Sequence, residues 1–170
     1  MTLEELAAHA EIKQVLYRYC RGVDRGDAAL IAACYTPDAT DYHGGWVGLG
    51  KDFGTYLVPS MDQAASVGQH NITNVLIELD GDKAAVESYF FAFHPQPAAD
   101  APVHHIFVAG RYLDRFALHE GKWLIAERRV VIDFSRPLSG GEDWANAASF
   151  LKGARRGDDP SAALFATGAA

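Results

Sequence analysis

The first 25 residues carry apolar positions at the spacing of one amphipathic helix. Thr2 and Glu5 match the capping-box pattern, which predicts where this helix begins. One apolar stripe follows at helical spacing, formed by Leu6, Ile12, Val15, Leu16, Tyr19 and Val23. Gly22 and Gly26 interrupt the pattern, so the helix is predicted to end near Asp24.

The next segment is predicted to form shorter elements. Asp27 can cap a short helix over residues 28–35, which Pro37 follows. A short strand over 40–42 leads into a Gly-rich turn, and a third helix is predicted over about 51–64. This part of the chain therefore continues the helical layer with one strand inserted.

The second half of the chain carries the alternating pattern of β-strands. Strands are predicted over residues 70–79, 84–94, 103–118 and 123–134. Tight turns are predicted at Asp80-Gly81-Asp82 and at His119-Glu120-Gly121-Lys122. Three helices followed by consecutive hairpins predict an α+β domain, in which a cone-shaped, curved antiparallel sheet is packed with the N-terminal helices.

The domain is predicted to end near residue 135. Residues 1–135 form the α+β barrel in this interpretation. Residues 136–170, rich in Gly, Ala, Ser and Asp, form a C-terminal extension that packs on the barrel or on a neighbouring subunit. The open end of such a cone is a natural apolar pocket, so polar side chains that point into it are the functional candidates.

The composition restricts the classes of function. With 170 residues, 49% of them hydrophobic, the chain is long enough for one domain with a sizeable core. The formal net charge of −7 argues against nucleic acid or an anionic membrane as a partner, because both require a basic face. No apolar run approaches the roughly 20 residues of a membrane span, and no signal-peptide pattern is present. We therefore expect a cytoplasmic protein.

Sequence motifs for metals and cofactors are absent. Cys20 and Cys34 are the two cysteines, and their spacing matches neither a zinc site nor a disulfide framework. The sequence contains no GxGxxG or Walker loop, no GxSxG nucleophile elbow and no HExxH. The sequence thus predicts a protein that needs neither a metal nor an organic cofactor.

Three residues supply the strongest candidate chemistry. Asp24 ends the first helix, His70 opens a strand, and an Asp beside a His is the usual way to make an imidazole a general base. Tyr19 lies on the apolar helical stripe, which carries its hydroxyl inward. Each residue also has a structural interpretation: a core tyrosine, an aspartate that caps a local turn, and a structural histidine.

Further candidates depend on which face of each strand is concave. His104 and His105 are adjacent, so they face opposite sides of a strand and only one can reach the pocket. Arg128 and Arg129 divide in the same way, with Arg129 expected on the face of Trp123 and Ile125. A last set flanks the Gly-rich turn that can rim the pocket: Tyr42, His43 and Trp46.

Several segments together resemble SnoaL-like proteins of the nuclear-transport-factor-2-like superfamily. They are EIKQVLYRYCRGVDRGD (11–27), YTPDATDY (35–42), QHNITNVLIELDGDKAAVESY (69–89), GRYLDRFALHEGKWLIAERRVVIDF (110–134) and DDPS (158–161). The resemblance covers about residues 8–135. It implies a cone-shaped, cystatin-like α+β barrel, in agreement with the predicted order of elements. The superfamily also includes non-enzymatic proteins, so the fold alone does not establish catalysis.

The closer similarity is to cofactor-free lyases of this group, namely the bile-acid 7α-dehydratase, scytalone dehydratase and the lindane dehydrochlorinase. It implies that Asp24 and His70 form a catalytic dyad, with Tyr19 as the phenol and Arg128 as a further catalytic residue. The second histidine of scytalone dehydratase corresponds to His104 or His105, with the register left open. The resemblance also implies a homotrimer that is built by packing the outer faces of the sheets; a homodimer is the alternative.

The resulting functional hypothesis is a dehydratase-like lyase that acts on a hydrophobic cyclic or aromatic small molecule. His70 would remove a proton from carbon, and Tyr19 would assist the leaving oxygen or a developing enolate. Three alternatives stay open. They are a C–C lyase that releases formaldehyde from lignin-derived diarylpropanes, a double-bond isomerase, and a non-catalytic module that binds a hydrophobic ligand.

Overall fold

A computed structural model describes residues 1–62, 67–96, 104–138, 149 and 151–166 of the protein. Within these ranges the chain forms four α-helices and one six-stranded sheet. The helices are α1 (Leu3–Arg25), α2 (Ala28–Ala32), α3 (Gly50–Asp62) and α4 (Ser161–Ala166). The strands are β1 (Tyr35–His43), β2 (Trp46–Leu49), β3 (Gln69–Asp80), β4 (Lys83–Gln96), β5 (His104–His119) and β6 (Lys122–Pro137).

Both ends of α1 have local causes. The Thr2 hydroxyl accepts a hydrogen bond from the Glu5 backbone at 3.2 Å, and the Glu5 carboxylate accepts one from the Thr2 backbone at 2.8 Å. The predicted capping box is therefore formed. The helix ends at Arg25 because Gly26 adopts φ = 65°, a left-handed conformation that glycine reaches without strain. The buried stripe faces the sheet.

The segment after α1 contains more strand than the sequence predicts. Helix α2 ends at Ala32, three residues before the predicted end, because the chain enters β1 at Tyr35. The short strand predicted over 40–42 is the second half of β1. Helix α3 covers the predicted third helix and contains Pro59 within its range.

The sheet has the strand order β2-β1-β6-β5-β4-β3. Strands β3 to β6 form the predicted succession of antiparallel hairpins, and β1 pairs with β2 in the same way. The sheet departs from the predicted antiparallel arrangement at one pair, since β1 runs parallel to β6. A hairpin forces neighbouring strands to run antiparallel, whereas β1 meets β6 from a distant part of the chain without that constraint.

Bulges change the face on which some side chains lie. Between the pairs Arg115–Glu127 and Phe116–Ile125, strand β6 contains one extra residue, Ala126. The predicted alternation across β6 is therefore wrong. Arg128, and not its neighbour Arg129, shares the buried face with Ile125 and Trp123. A single inserted residue reverses the faces because side chains alternate with a period of two.

The described part of the C-terminal extension contacts the helices of its own chain. Arg156 donates to the Gly26 carbonyl at 3.2 Å and to the Asp62 carboxylate at 2.8 Å. Arg25 forms an ion pair with Asp159 at 3.1 Å. Strand β6 continues to Pro137, so the predicted boundary at 135 lies inside a strand. The resemblance also implies that the segment from Trp144 to Leu151 can cover a pocket, and most of that segment lies outside the described residues.

No helix within the described ranges is both long and apolar enough to cross a membrane.

Candidate active site

The concave face of the sheet and helices α1 and α3 enclose a cavity of about 720 Å³. Much of its wall is apolar, with side chains that include Phe53, Leu57, Met61, Phe90, Val108 and Val130. Several lining side chains carry ring nitrogens or hydroxyls: Tyr19, His43, Tyr56, Ser60, His70, His94, Tyr112 and Ser135. A mostly apolar cavity with a few convergent polar groups is typical of a small-molecule site.

Asp24 and His70 meet at the wall of this cavity. The Asp24 Oδ1 atom lies 2.6 Å from His70 Nδ1, and its Oδ2 atom accepts a hydrogen bond from the His70 backbone N–H at 3.0 Å. A carboxylate only accepts, so Nδ1 carries a hydrogen, and in the neutral ring the lone pair is on Nε2. This tautomer is the one that a general base requires. The two side chains are 11% and 5% exposed, respectively.

The position of Asp24 is unfavourable for the helix itself. It lies in the last turn of α1, where the partial negative charge of the helix terminus disfavours an anion by roughly 0.3–1 kcal/mol. Its hydrogen bonds go to His70 on β3, 46 residues away, and not to a local turn. A residue that departs from a local rule and is compensated by a specific distant partner is typical of a functional site.

His94 is a second histidine at this end of the cavity, and the sequence interpretation missed it. Its ring centroid lies 4.9 Å from that of His70, with the two rings nearly perpendicular. Burial, followed by the nearby His70, lowers the pKa of His94 to about 4. The imidazole is therefore neutral at pH 7, where it can donate or accept one hydrogen bond without carrying charge.

The hairpin turn at Gly81 could have predicted that His94 lies near His70. The turn pairs Asp80 with Lys83, and counting outward along the two strands places His70 opposite residue 92 or 93. His94 is then one or two residues beyond the partner of His70. The structure pairs His70 with Ala92.

Tyr19 reaches the cavity from α1. Its residue is 1% exposed, and its hydroxyl makes no hydrogen bond of normal geometry within the described part of the chain. Burial raises the pKa of Tyr19 far above its ordinary value, although the charge of Arg128 opposes this rise. The phenol therefore stays protonated. Unlike that of a core tyrosine bonded to a backbone carbonyl, its buried hydroxyl has no acceptor among the described residues.

Arg128 lies behind the tyrosines and does not line the cavity. Its Nε and Nη2 atoms donate to the two carboxylate oxygens of Asp114 at 2.8 and 2.6 Å. Its Cζ atom lies 4.1 Å from the ring centroid of Tyr19 and 4.0 Å from that of Tyr112. Both charged side chains are fully buried. A catalytic role of Arg128 stays a prediction; in the structure its charge lies over the ring of Tyr19.

Three of the four predicted substrate-binding residues, Tyr42, Trp46 and His105, are not among the residues that line the cavity. Tyr42 lies under the guanidinium of Arg129, with Cζ 4.0 Å from its ring centroid, because it alternates with the inward Asp41. Trp46 packs against Phe53, which does line the cavity, at 5.1 Å between ring centroids.

The open question about the paired histidines is partly resolved. Ile106 lines the cavity, so the preceding His105 belongs to the opposite face of β5. His104 begins β5, and its side chain lies outside what the structure describes. His94 on the neighbouring strand provides the second imidazole at the cavity.

No cluster of three His, Cys, Asp or Glu side chains suited to a metal ion is present in the parts of the chain that the structure describes.

Similarity to known proteins extends over most of the chain. The SnoaL-like domain profile matches residues 4–129. No curated protein sequence matches the chain. Among solved structures, the hexachlorocyclohexane dehydrochlorinase LinA-type3 of Novosphingobium barchaimii is 20% identical with a TM-score of 0.71, and the match covers 84% of this chain and 97% of that one.

Two further structures extend this likeness. A candidate scytalone dehydratase of Novosphingobium aromaticivorans is 19% identical with a TM-score of 0.70, over 83% of this chain and 94% of that one. Rv3472 of Mycobacterium tuberculosis, whose function is unknown, is 28% identical with a TM-score of 0.64, over 84% and 86%. Together with the α+β architecture and the profile match, these findings show that the chain belongs to the SnoaL-like domain family of the nuclear-transport-factor-2-like superfamily.

Proposed function

We propose that the protein is a cofactor-independent lyase that eliminates water or a comparable small group from a hydrophobic cyclic or aromatic molecule. The contact between Asp24 and His70 at the wall of an apolar cavity carries this proposal. A protein that only stores or carries a hydrophobic ligand needs the cavity but has no need of an imidazole in the tautomer of a general base.

His70 is the base in this mechanism. Its Nε2 atom removes a proton from a carbon of the substrate, and the C–H electrons begin to form the double bond. Asp24 stabilises the imidazolium that results, because its carboxylate is 2.6 Å from Nδ1. A positioned general base contributes about 10²–10⁴-fold to the rate, so the cavity must supply the rest by orientation and electrostatics.

Tyr19 and His94 stabilise the oxygen on which negative charge develops. The Tyr19 hydroxyl has a hydrogen available, and Arg128 over its ring favours electron withdrawal from the phenol. Neutral His94 adds a second donor close to the base. Donors that are already oriented before the reaction stabilise such charge effectively in a cavity from which water is excluded.

Two of the similar solved structures bear names that denote elimination reactions. One is a dehydrochlorinase and the other a candidate scytalone dehydratase, and both share the fold at about 20% identity. This likeness supports elimination as the class of reaction but does not identify the leaving group.

Deuterium exchange tests the proposal without knowledge of the natural substrate. A panel of cyclic and aromatic β-hydroxy ketones is incubated with the protein in D₂O, and exchange at the α-carbon and alkene formation are followed by NMR. The wild type should catalyse exchange or elimination with at least one compound that it binds, and His70→Ala should do neither. Tight binding of several compounds without exchange would support the hydrophobic-ligand-binding module instead.

We also propose that the protein is a homotrimer that packs through the outer sheet face. Phe91, Phe93 and Phe134 each lie within 6.0 Å of Phe107, measured between ring centroids, and Phe91 and Phe134 are more than 40% exposed. An exposed aromatic cluster of this kind usually marks an interface. Sedimentation equilibrium should give a trimer, and Phe107→Glu should dissociate it. A dimer would correct the stoichiometry, and a stable monomer would refute the interface.

A further inference from the structure

The cavity contains a second imidazole that is backed by a carboxylate. His43 ends β1, and its Nδ1 atom lies 3.3 Å from Oδ1 of Asp41. Asp41 is fully buried and accepts a hydrogen bond from the Tyr35 hydroxyl on its other oxygen at 2.6 Å. Asp41 and His43 are two residues apart on one strand, so both side chains lie on the inner face.

The ring of His43 is held in place. It stacks on Phe53, with 4.1 Å between centroids and 20° between planes, while its side chain remains 26% exposed. Because Nδ1 faces Asp41, Nε2 is the ring nitrogen left for a ligand. The residue is among those that line the cavity, together with His70.

The two carboxylate–histidine pairs come from opposite ends of the sheet. His70 belongs to β3, the strand at one edge, and His43 belongs to β1, the second strand from the other edge. The curvature of the sheet brings both onto one cavity. An elimination requires a base on one side of a C–C bond and a proton donor for the group that leaves the other carbon.

Tyr19 and His94, the two polar side chains that assist the dyad in this mechanism, are poor sources of that proton. The pKa of Tyr19 is raised by burial, so its phenolate is disfavoured and the hydroxyl serves as a hydrogen-bond donor. The pKa of His94 is lowered to about 4, chiefly by burial, so this ring carries no extra proton at pH 7. An imidazole beside a carboxylate can hold a proton near neutral pH and release it as a neutral ring.

We propose that His43, oriented by Asp41, is the general acid of the cavity, and that the substrates therefore carry a hydroxyl or alkoxyl leaving group that must be protonated. This inference rests on the proposed elimination by His70. It assigns the two proton transfers to separate dyads on two different strands, β3 and β1.

The step balances in protons and electrons. His70 Nε2 takes the proton from carbon, and the electrons of that C–H bond form the C=C bond. The C–O bond breaks with its electron pair on oxygen, and His43 gives its Nε2 proton to that oxygen. The products are an alkene and water or an alcohol. His70 then holds the added proton and His43 has lost one, so exchange with solvent restores both.

A series of leaving groups separates the roles of the two histidines. The probes are three aromatic ketones, namely 4-phenyl-2-butanones that carry a 4-nitrophenoxy, a phenoxy or a methoxy group at C4. The nitrophenolate departs without protonation, and the other two leaving groups need increasing assistance. His43→Gln should lower kcat/KM by at least about 10²-fold for the methoxy compound and hardly at all for the nitrophenoxy compound. His70→Ala should abolish the elimination of all three, because each requires carbon deprotonation.

Two further variants guard against a folding artefact. Asp41→Asn should reproduce the selective loss, and Tyr35→Phe should reproduce part of it by loosening Asp41. Free imidazole should restore the methoxy reaction of His43→Ala. His119→Gln, at the far end of β5 from the cavity, is the matched control and should behave as the wild type in all three reactions.

Each outcome decides between the hypotheses. A selective loss with the poorer leaving groups supports the role of His43. An equal loss with all three probes, or no loss with any, would overturn that role and leave His70 as the base. Absence of turnover of every probe by the wild type would overturn the proposed elimination and the role of His43 with it.

Discussion

Asp24 and Asp114 are both buried beside a nitrogen base, yet the two pairs differ in what remains available. Asp114 meets the Arg128 guanidinium through two parallel hydrogen bonds, and the Cζ atom of Arg128 lies 4.1 Å from the ring centroid of Tyr19 and 4.0 Å from that of Tyr112. Asp24 contacts Nδ1 of His70, so the other ring nitrogen, Nε2, does not face the carboxylate. His70 is one of the residues that line the cavity. The first pair lies behind the cavity wall and the second is open on one side.

This difference separates a structural ion pair from a pair that can transfer a proton. Arginine does not release its proton in proteins, so the pair with Asp114 supplies a fixed charge behind Tyr19. Histidine changes its protonation state near neutral pH, so the pair with Asp24 can accept and return a proton. A buried carboxylate therefore holds a fixed charge in place when it faces arginine, and it supports proton transfer when it faces histidine.

Removal of the base should produce the largest change. We expect His70→Ala to lower kcat by about 10³-fold, within the range for a positioned general base. Asp24→Asn should be similarly severe, because an amide donates to Nδ1 and favours the wrong tautomer. Stopped-flow or steady-state assays on a confirmed substrate measure this, with circular dichroism as the control for folding. Near-wild-type activity of both variants would remove the dyad from the mechanism.

Removal of the fixed charge should instead unfold the protein. Arg128→Met leaves Asp114 buried without a partner, and we expect a loss of about 3–5 kcal/mol in the free energy of unfolding. The double variant Arg128→Met, Asp114→Leu should recover most of it, because the uncompensated charge is gone. Urea unfolding measures both values. A stable single variant that has lost only activity would move Arg128 into the chemistry.

His94 should make stability depend on pH. Its pKa in the folded protein is about 4, lower than the ordinary 6.5, so the unfolded chain binds the proton more readily between these values. The contribution of His94 to the free energy of unfolding is therefore complete above about pH 6.5. As the pH falls towards 4, the free energy of unfolding declines by up to about 3 kcal/mol. Wild type should lose more stability than His94→Gln between pH 7 and 4.5 in urea unfolding. Parallel curves would contradict the burial of a neutral imidazole.

Tyr19→Phe should have the smallest effect of the four. The hydroxyl has no partner of normal geometry among the described residues, so its removal should change the free energy of unfolding by less than about 1 kcal/mol. A hydrogen bond to a developing charge predicts a loss of about 10- to 100-fold in kcat. Melting curves and kcat together test this. Lower stability with unchanged kcat would restore the core-tyrosine interpretation.

Much of the architecture was predictable from local patterns. The Thr2–Glu5 capping box and the helical apolar stripe determine α1, and the turn at Gly81 determines a hairpin, because each depends on residues close in sequence. The order of helices and strands determines the α+β class. Likewise, Asp24 and His70 were predictable as partners once the family resemblance was considered.

The tertiary structure decided which side chains share the cavity. One extra residue at Ala126 places Arg128 on the buried face, and the parallel pairing of β1 with β6 brings Asp41 and His43 onto the same concave surface as His70. These relations depend on strand register over long separations, and a shift of one residue exchanges the two faces. The sequence by itself determined the elements and one dyad; only the register and curvature of the sheet decided that a second dyad and His94 share its cavity.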